Sequence, residues 1–150
     1  MATEDPQLAV AFRGLNREVN ALYHLIARRF GLTMQQAELL CLVSGRPPSF
    51  GELASALGCD KTNVTGLVDR LERRGFLSRE TDPADRRVSR IVITEQGQKM
   101  RHDIRAAFEH ELSTRLPATD RAQLVALAHA AAAALADSRS SDRSLAEGSA

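Results

Sequence analysis

The sequence predicts a mainly α-helical fold carrying one short β-hairpin, and three observations lead there. Apolar residues recur at steps of three and four along most of the 150 residues. The 43% hydrophobic content is carried by Leu, Val, Ile and Ala, with 4% aromatic residues and no Trp, a mixture that favours helices over a β-sandwich. One stretch, from Phe76 to Ile93, leaves the helical period and holds two strand-like runs around a polar turn. The length suits one compact domain with a small extension.

The elements follow in order. Residues 1–6 are polar and aperiodic and read as a flexible tail. A first helix runs from about Leu8 to Arg29, its stripe formed by Leu8, Phe12, Leu15, Val19, Leu22 and Ile26. Gly31 ends it, and Thr33 caps a second helix through Met34, Leu39, Leu40 and Val43. Gly45-Arg46-Pro47-Pro48 forbids continuation. Ser49-Phe50-Gly51-Glu52 is a capping box, opening a short helix with Leu53, Ala54 and Leu57 inward and Gly58 at its end. Asp60 caps the next helix, 61–74, which stops at Gly75. Two such helices joined by a tight Gly-containing turn form a helix-turn-helix.

Beyond it, Phe76–Glu80 and Ser89–Ile93 read as strands flanking Asp82-Pro83-Ala84-Asp85-Arg86-Arg87, a hairpin with a basic tip. Thr94 caps a long helix bearing Met100, Ile104, Ala107, Phe108 and Leu112. Pro117 breaks the chain, and a last helix spans about Ala118 to Ala136, with residues 138–150 as a second flexible tail. The first helix and the last two carry apolar stripes that a domain this small cannot cover alone, which predicts a homodimer built through both chain ends.

Bulk charge decides little, with 20 Lys and Arg against 19 Asp and Glu. Its distribution decides more. On a wheel of 100° per residue, Val64, Leu67, Val68 and Leu71 share one side of helix 61–74. Thr62, Thr65, Gly66, Asp69 and Arg73 lie opposite, flanked by Lys61, Asn63 and Arg70. Short polar donors and acceptors of this kind can reach base edges or phosphates from a helix in a major groove; the same face also suits a merely solvated helix end. Arg86 and Arg87 stand on a projection thin enough for a minor groove, whose negative potential attracts guanidinium groups, or they form a solvated charged turn. Asp69 would repel phosphate unless paired with Arg73 or with a wing arginine.

These residues resemble the MarR family of bacterial transcriptional regulators. The resemblance is carried by Gly51-Glu52-Leu53-Ala54, by Asp60 to Gly75, and by Asp82 to Arg87 with Ile91-Val92-Ile93-Thr94-Glu95-Gln96-Gly97. It spans roughly residues 8–136 and is most specific from Val64 to Gly97. It implies a winged helix-turn-helix with a two-stranded β wing over residues 46–93, and an N/C-terminal helical dimerisation region over 7–45 and 94–137. It also implies a homodimer on a pseudo-palindromic double-stranded operator, as repressor or activator, released by a small effector of phenolic or other aromatic anionic type. DNA contacts carry over to Lys61, Thr62, Asn63, Thr65, Arg86 and Arg87, and the wing-bracing acids to Asp69 and Asp85; Arg70 and Arg73, on the same helix, are further DNA-binding candidates. The sequence departs from relatives at Gly66, where a larger and often basic residue is usual; Gly costs a helix interior ~1 kcal/mol relative to Ala.

Catalysis finds no support: there is no GxSxG, HExxH, P-loop or GxGxxG, and no cofactor is expected. His24 lies opposite the first helix's stripe and reads as solvated. His102 and His110 are ~12 Å apart along one helix and cannot share a metal within it. Cys41 sits among leucines and reads as core; Cys59, in the turn, reads as exposed, and thiol sensing is disfavoured. No apolar run approaches the ~20 residues of a membrane span, and no basic-then-apolar leader opens the chain, so the expected compartment is a reducing cytoplasm. The rival reading is a winged-helix module that binds another protein and no DNA; a metalloenzyme built from scattered histidines is a remote third.

Overall fold

The computed structural model describes the backbone of residues 5–147 and the side chains of residues 5–136. The elements are α1 (Pro6–Arg29), α2 (Met34–Leu42), α3 (Phe50–Leu57), α4 (Lys61–Arg73), β1 (Leu77–Thr81), β2 (Ser89–Ile93), α5 (Glu95–Arg115) and α6 (Arg121–Glu147). They fall into two units, residues 1–110 and residues 111–150.

In the first unit, local chemistry sets most element ends. Ser49 and Glu52 close their capping box in both directions: the Glu52 N–H donates to Ser49 Oγ at 3.2 Å, and the Ser49 N–H donates to Glu52 Oε2 at 2.8 Å. Thr33 and Gln36 do the same for α2. Asp60 Oδ1 accepts from the Asn63 N–H at 2.8 Å and starts α4. Asp5 accepts from the Gln7 N–H at 2.9 Å, and Pro6 occupies the first helical turn, where its missing N–H leaves no donor wanting. Helix α1 therefore begins inside the segment read as a tail; residues 1–4 lie outside the described residues.

At the other end of α4, Gly75 takes φ 79°, donates to the Glu72 carbonyl at 2.9 Å, and lets Phe76 donate to the Leu71 carbonyl at 3.0 Å. Phe76 is spent on this cap and buried, so β1 begins at Leu77, one residue later than the sequence suggests. Strands β1 and β2 pair antiparallel from Leu77↔Ile93 to Thr81↔Ser89. The outer edge of β2 is not left open, because the Ile91 N–H donates to the Pro48 carbonyl at 2.9 Å and Ser49 bridges Arg90.

The core joins Leu39 and Leu40 of α2, Leu53 of α3, the Val64, Leu67, Val68 and Leu71 face of α4, Leu77, Ile91 and, from α5, Ile104. Two α5 arginines reach the end of α2: Arg101 donates to the Val43 carbonyl at 2.5 Å and Arg105 to the Cys41 carbonyl at 3.2 Å. Along α1 the stripe is covered only in its second half: Ile26 is buried, whereas Leu8, Phe12 and Leu15 are exposed.

In the second unit, Arg121 donates to the carbonyls of Ser113 and Leu116. Helix α6 starts at Arg121 rather than Ala118, because Pro117 to Asp120 form a bend and turn first. It then continues to Glu147, through most of the segment read as an aperiodic tail. No Gly or Pro interrupts residues 121–147, and Gly148 is the first breaker. Leu124, Val125, Leu127 and Leu135 are all exposed.

One close approach ties α5 to the hairpin. Gly97 is buried, and a Cβ there would stand 2.8 Å from Ile93 Cγ1 and 2.9 Å from the Phe76 carbonyl carbon, with the carbonyl oxygen nearer still. Backbone cannot yield as a flexible side chain can. Gly97→Ala is expected to destabilise the protein by about 1–3 kcal/mol or more, read as a lower urea midpoint with an unchanged m-value.

Candidate nucleic-acid interface

Helix α4 buries Val64, Leu67, Val68 and Leu71, which turns the opposite face outward. Lys61, Thr62, Asn63, Thr65, Arg70 and Arg73 are exposed there. The Lys61 stem passes over Gly51, where its Cε lies 3.4 Å from the position of a Cβ. The Thr65 hydroxyl donates to the Lys61 carbonyl at 2.8 Å, so its proton is already committed while its oxygen can still accept.

Asp69 resolves toward the wing. Its Oδ1 accepts from Arg79 Nη2 of β1, and Arg79 Nε lies 3.3 Å from Glu72 Oε2. The Arg79 guanidinium also sits over the Phe50 ring, 5.3 Å from its centroid. Arg73 Nε instead donates to the Asp69 main-chain carbonyl at 3.2 Å. Asp69 and Glu72 thus share one strand guanidinium, and the Arg73 side chain pairs with a main-chain carbonyl rather than a carboxylate.

The hairpin tip is organised by two more acids. Asp85 Oδ1 accepts from the Arg87 N–H at 3.0 Å and from Arg87 Nε at 3.1 Å, with Arg87 Nη2 at 3.3 Å from Oδ2. These bonds hold the Asp85 carboxyl below the usual carboxylate range. The Arg87 side chain is still 91% exposed, and Arg86 is exposed beside it. Asp82 Oδ1 accepts from the Ala84 N–H at 2.7 Å, and Oδ2 accepts from Arg90 Nε at 2.6 Å. The Ala84 amide first, and Arg90 second, hold the Asp82 carboxyl low. Arg90 also lies 3.3 Å from Glu52 Oε2, and Glu52 Oε1 accepts from Arg46 at 2.6 Å. Glu52 is held low by the Ser49 amide, then by Arg46. A charge chain Asp82–Arg90–Glu52–Arg46 therefore runs from the wing to the start of α3.

Solvent weakens most of these pairs. Arg90 with Asp82 is the exception, since the two side chains are only 23% and 12% exposed. Sequence reasoning assigned no role to Arg79, Asp82 or Arg90. The signal was present: Asp82-Pro83-Ala84 is an Asx-turn pattern, and β-pairing returns Arg90 to its neighbourhood. Among the described residues, no hydrogen bond or ion pair joins the side chains of Lys61, Thr62, Asn63 or Thr65 to Arg86 or Arg87; the two sets stand on separate elements.

The cysteines and histidines take no part in this surface. Cys41 is half-buried against the core, and burial pushes its thiol up. Cys59 is half-buried too, not exposed as expected, because its N–H donates to the Ala54 carbonyl at 3.1 Å and folds it back over α3. His24 is exposed. Among the described residues, no three His, Cys, Asp or Glu side chains come together as metal ligands, and no helix is long and apolar enough to cross a membrane.

A tight two-helix motif followed by a hairpin and packed under α5 defines a winged helix-turn-helix protein. The MarR family model matches residues 32–89. The HTH-type transcriptional regulator YcgE of Bacillus subtilis (strain 168) is 35% identical over 94 residues, covering 61% of this chain and 58% of YcgE. The transcriptional repressor MprA of Escherichia coli (strain K12) is 34% identical over 76 residues, 49% of this chain and 43% of MprA. The chain thus spans about half the length of the curated relatives it matches. In fold it is similar to wild-type MarR from E. coli, with a TM-score of 0.72 at 22% identity, covering 86% of this chain and 98% of that one. Over residues 32–89, the chain is similar to the MarR family. That family and the relatives named here are regulators rather than enzymes.

Because the Asp82 carboxyl lies low in the folded state, its stabilising effect is complete above the unfolded value of about 3.9 and is lost as pH falls through the folded value. Acidification below about pH 4 should therefore loosen the wing. NMR titration should place the Asp82 midpoint below that of an ordinary Asp, and Arg90→Ala should raise it. Asp82→Asn should flatten the acid limb of stability against pH in urea denaturation.

Proposed function

We propose that this protein is a transcriptional regulator, a repressor, that binds a pseudo-palindromic double-stranded DNA operator as a homodimer. The observation that carries the reading is the state of the outward α4 face. It offers hydroxyl, amide and cationic groups, and its acids, Asp69 and Glu72, both pair with Arg79 of β1. In this reading Lys61, Thr62, Asn63 and Thr65 enter a major groove, Arg70 and Arg73 take phosphates, and Arg86 and Arg87 reach the adjacent minor groove. Asp85 aligns Arg87, and Asp69 with Arg79 ties the wing to α4. The names of YcgE and MprA support a regulatory role. A protein acting on DNA in this way works in the cytoplasm.

Dimerisation follows from uncovered apolar surface within residues 7–45 and 94–137. Leu8 and Leu15 are 58% and 56% exposed on α1, and Leu127 is 61% exposed on α6, more than a monomer of this size leaves in continuous stripes. The effector is best sought in the cleft of about 260 Å³ lined by Asn20, Tyr23, Met34, Glu38, Cys41 and Leu42. Glu38 lines it and Arg105 donates to the carbonyl of the lining residue Cys41, so charges of both signs stand at the cleft.

Two experiments test the reading. Sedimentation at micromolar concentration should show a dimer; a clean monomer would remove the basis for two-fold operators. Binding at several salt concentrations, on cognate and scrambled operators, should separate the roles of wing and helix. Arg86→Ala with Arg87→Ala should weaken binding on all sequences and make the salt slope shallower by about one unit for each phosphate no longer neutralised. Thr62→Ala or Asn63→Ala should instead change base preference, at ~1–3 kcal/mol for each good base-edge interaction removed. If neither pair of substitutions alters DNA binding, the surface serves a protein partner.

A further inference from the structure

Gly66 lies in the interior of α4, with helical backbone and no positive φ. A Cβ added there would meet nothing within 4 Å. Glycine inside a helix makes the folding equilibrium about five-fold less favourable than alanine does. Gly97 answers to the Phe76 carbonyl and Gly75 to its left-handed turn, whereas Gly66, like Gly14 of α1, meets nothing within the chain. Of these two, Gly66 is the one on the outward face of α4. Its neighbour Thr65 is exposed and has turned its hydroxyl back to the Lys61 carbonyl, which leaves the methyl as the group it presents outward. Bare backbone beside a methyl forms a shallow apolar notch in an otherwise polar face.

We propose that Gly66 is a specificity-determining position: it lets α4 sit close to a base edge, and the notch it forms with Thr65 receives the C5-methyl of a thymine. This rests on the DNA-binding reading and names what one part of that surface reads. In the major groove the thymine methyl is the apolar feature that distinguishes A·T from G·C pairs, and it is recognised by apolar contact. A side chain at position 66 would fill the space the methyl needs and hold the helix off the groove floor.

The test begins with selection of operators from a random duplex pool by the wild-type dimer, which should return a thymine at one fixed position in each half-site. Replacing that thymine by deoxyuridine removes only the methyl and should lower wild-type affinity about four-fold, the weight of one buried methylene. Gly66→Ala should raise the melting temperature by roughly 2–4 °C, weaken operator binding on the order of ten-fold, and abolish the difference between thymine and uracil. Retained affinity and retained thymine preference in Gly66→Ala would overturn the proposal. A lowered melting temperature would also overturn it, since Gly66 would then serve the fold. If wild-type protein enriches no sequence at all, the DNA-binding reading itself falls, a result distinct from either of these.

Discussion

The main-chain carbonyl of Phe76 is the point on which the winged half of the molecule turns. It accepts from the Thr94 N–H at 3.1 Å, while the Thr94 hydroxyl donates to the Gly75 carbonyl at 2.5 Å and accepts from the Gly97 N–H at 3.0 Å. Four residues thereby join the end of α4, both ends of the hairpin and the first turn of α5. Orphan groups at a helix end are expensive to bury without partners. Here the donors and acceptors of two helix ends satisfy one another, and the wing leaves α4 at an angle the backbone alone prescribes. The absent Cβ of Gly97 is the condition for this approach.

Electrostatics at the proposed interface is a matter of pairing rather than of total charge. A chain with a formal charge of +1 presents a cationic surface because its local acids are engaged internally. Asp69 and Glu72 face Arg79, Asp82 faces Arg90, and Glu52 lies between Arg90 and Arg46. Arg70, Arg73 and Arg86 have no such carboxylate partner among the described residues. Each pair is weak as a source of stability. Together they place most of the local carboxylates against arginines and leave Arg70, Arg73 and Arg86 as the cations open to an outside partner.

Most of the fold was legible because its element ends are written in local chemistry. Ser49 with Glu52, Thr33, Asp60 and Gly75 act within four residues of themselves, and the pattern of Val64, Leu67, Val68 and Leu71 needs no knowledge of what it packs against. The outward α4 residues were legible for the same reason, as the remainder of a wheel. What escaped depends on distant partners. Phe76 is apolar and strand-like, yet its place is decided by the Leu71 and Thr94 backbone groups. Arg90 finds Asp82 only through β-pairing, and Glu52 only because the α2–α3 loop lies along β2. Cys59 looked exposed because a turn residue's burial is set by the core beneath it. The length of α6 was underestimated because polar composition was read as lack of helix, although nothing in residues 138–147 breaks one.

The contrast between the anchored inner face of α4 and its sparsely tethered outer face has an evolutionary consequence. Thr62 and Asn63 project no side chain into the core, and the space above Gly66 is empty. Substitutions at Thr62 and Asn63 are close to neutral for folding and a side chain at Gly66 favours it, whereas Gly97 in the Phe76–Thr94–Gly97 junction, which sets the stance of the wing, has no room for a side chain. A lineage carrying this architecture can therefore exchange the outward groups of α4 while keeping the frame that holds them. Under the proposed function, each such exchange is a single step that leaves the fold intact.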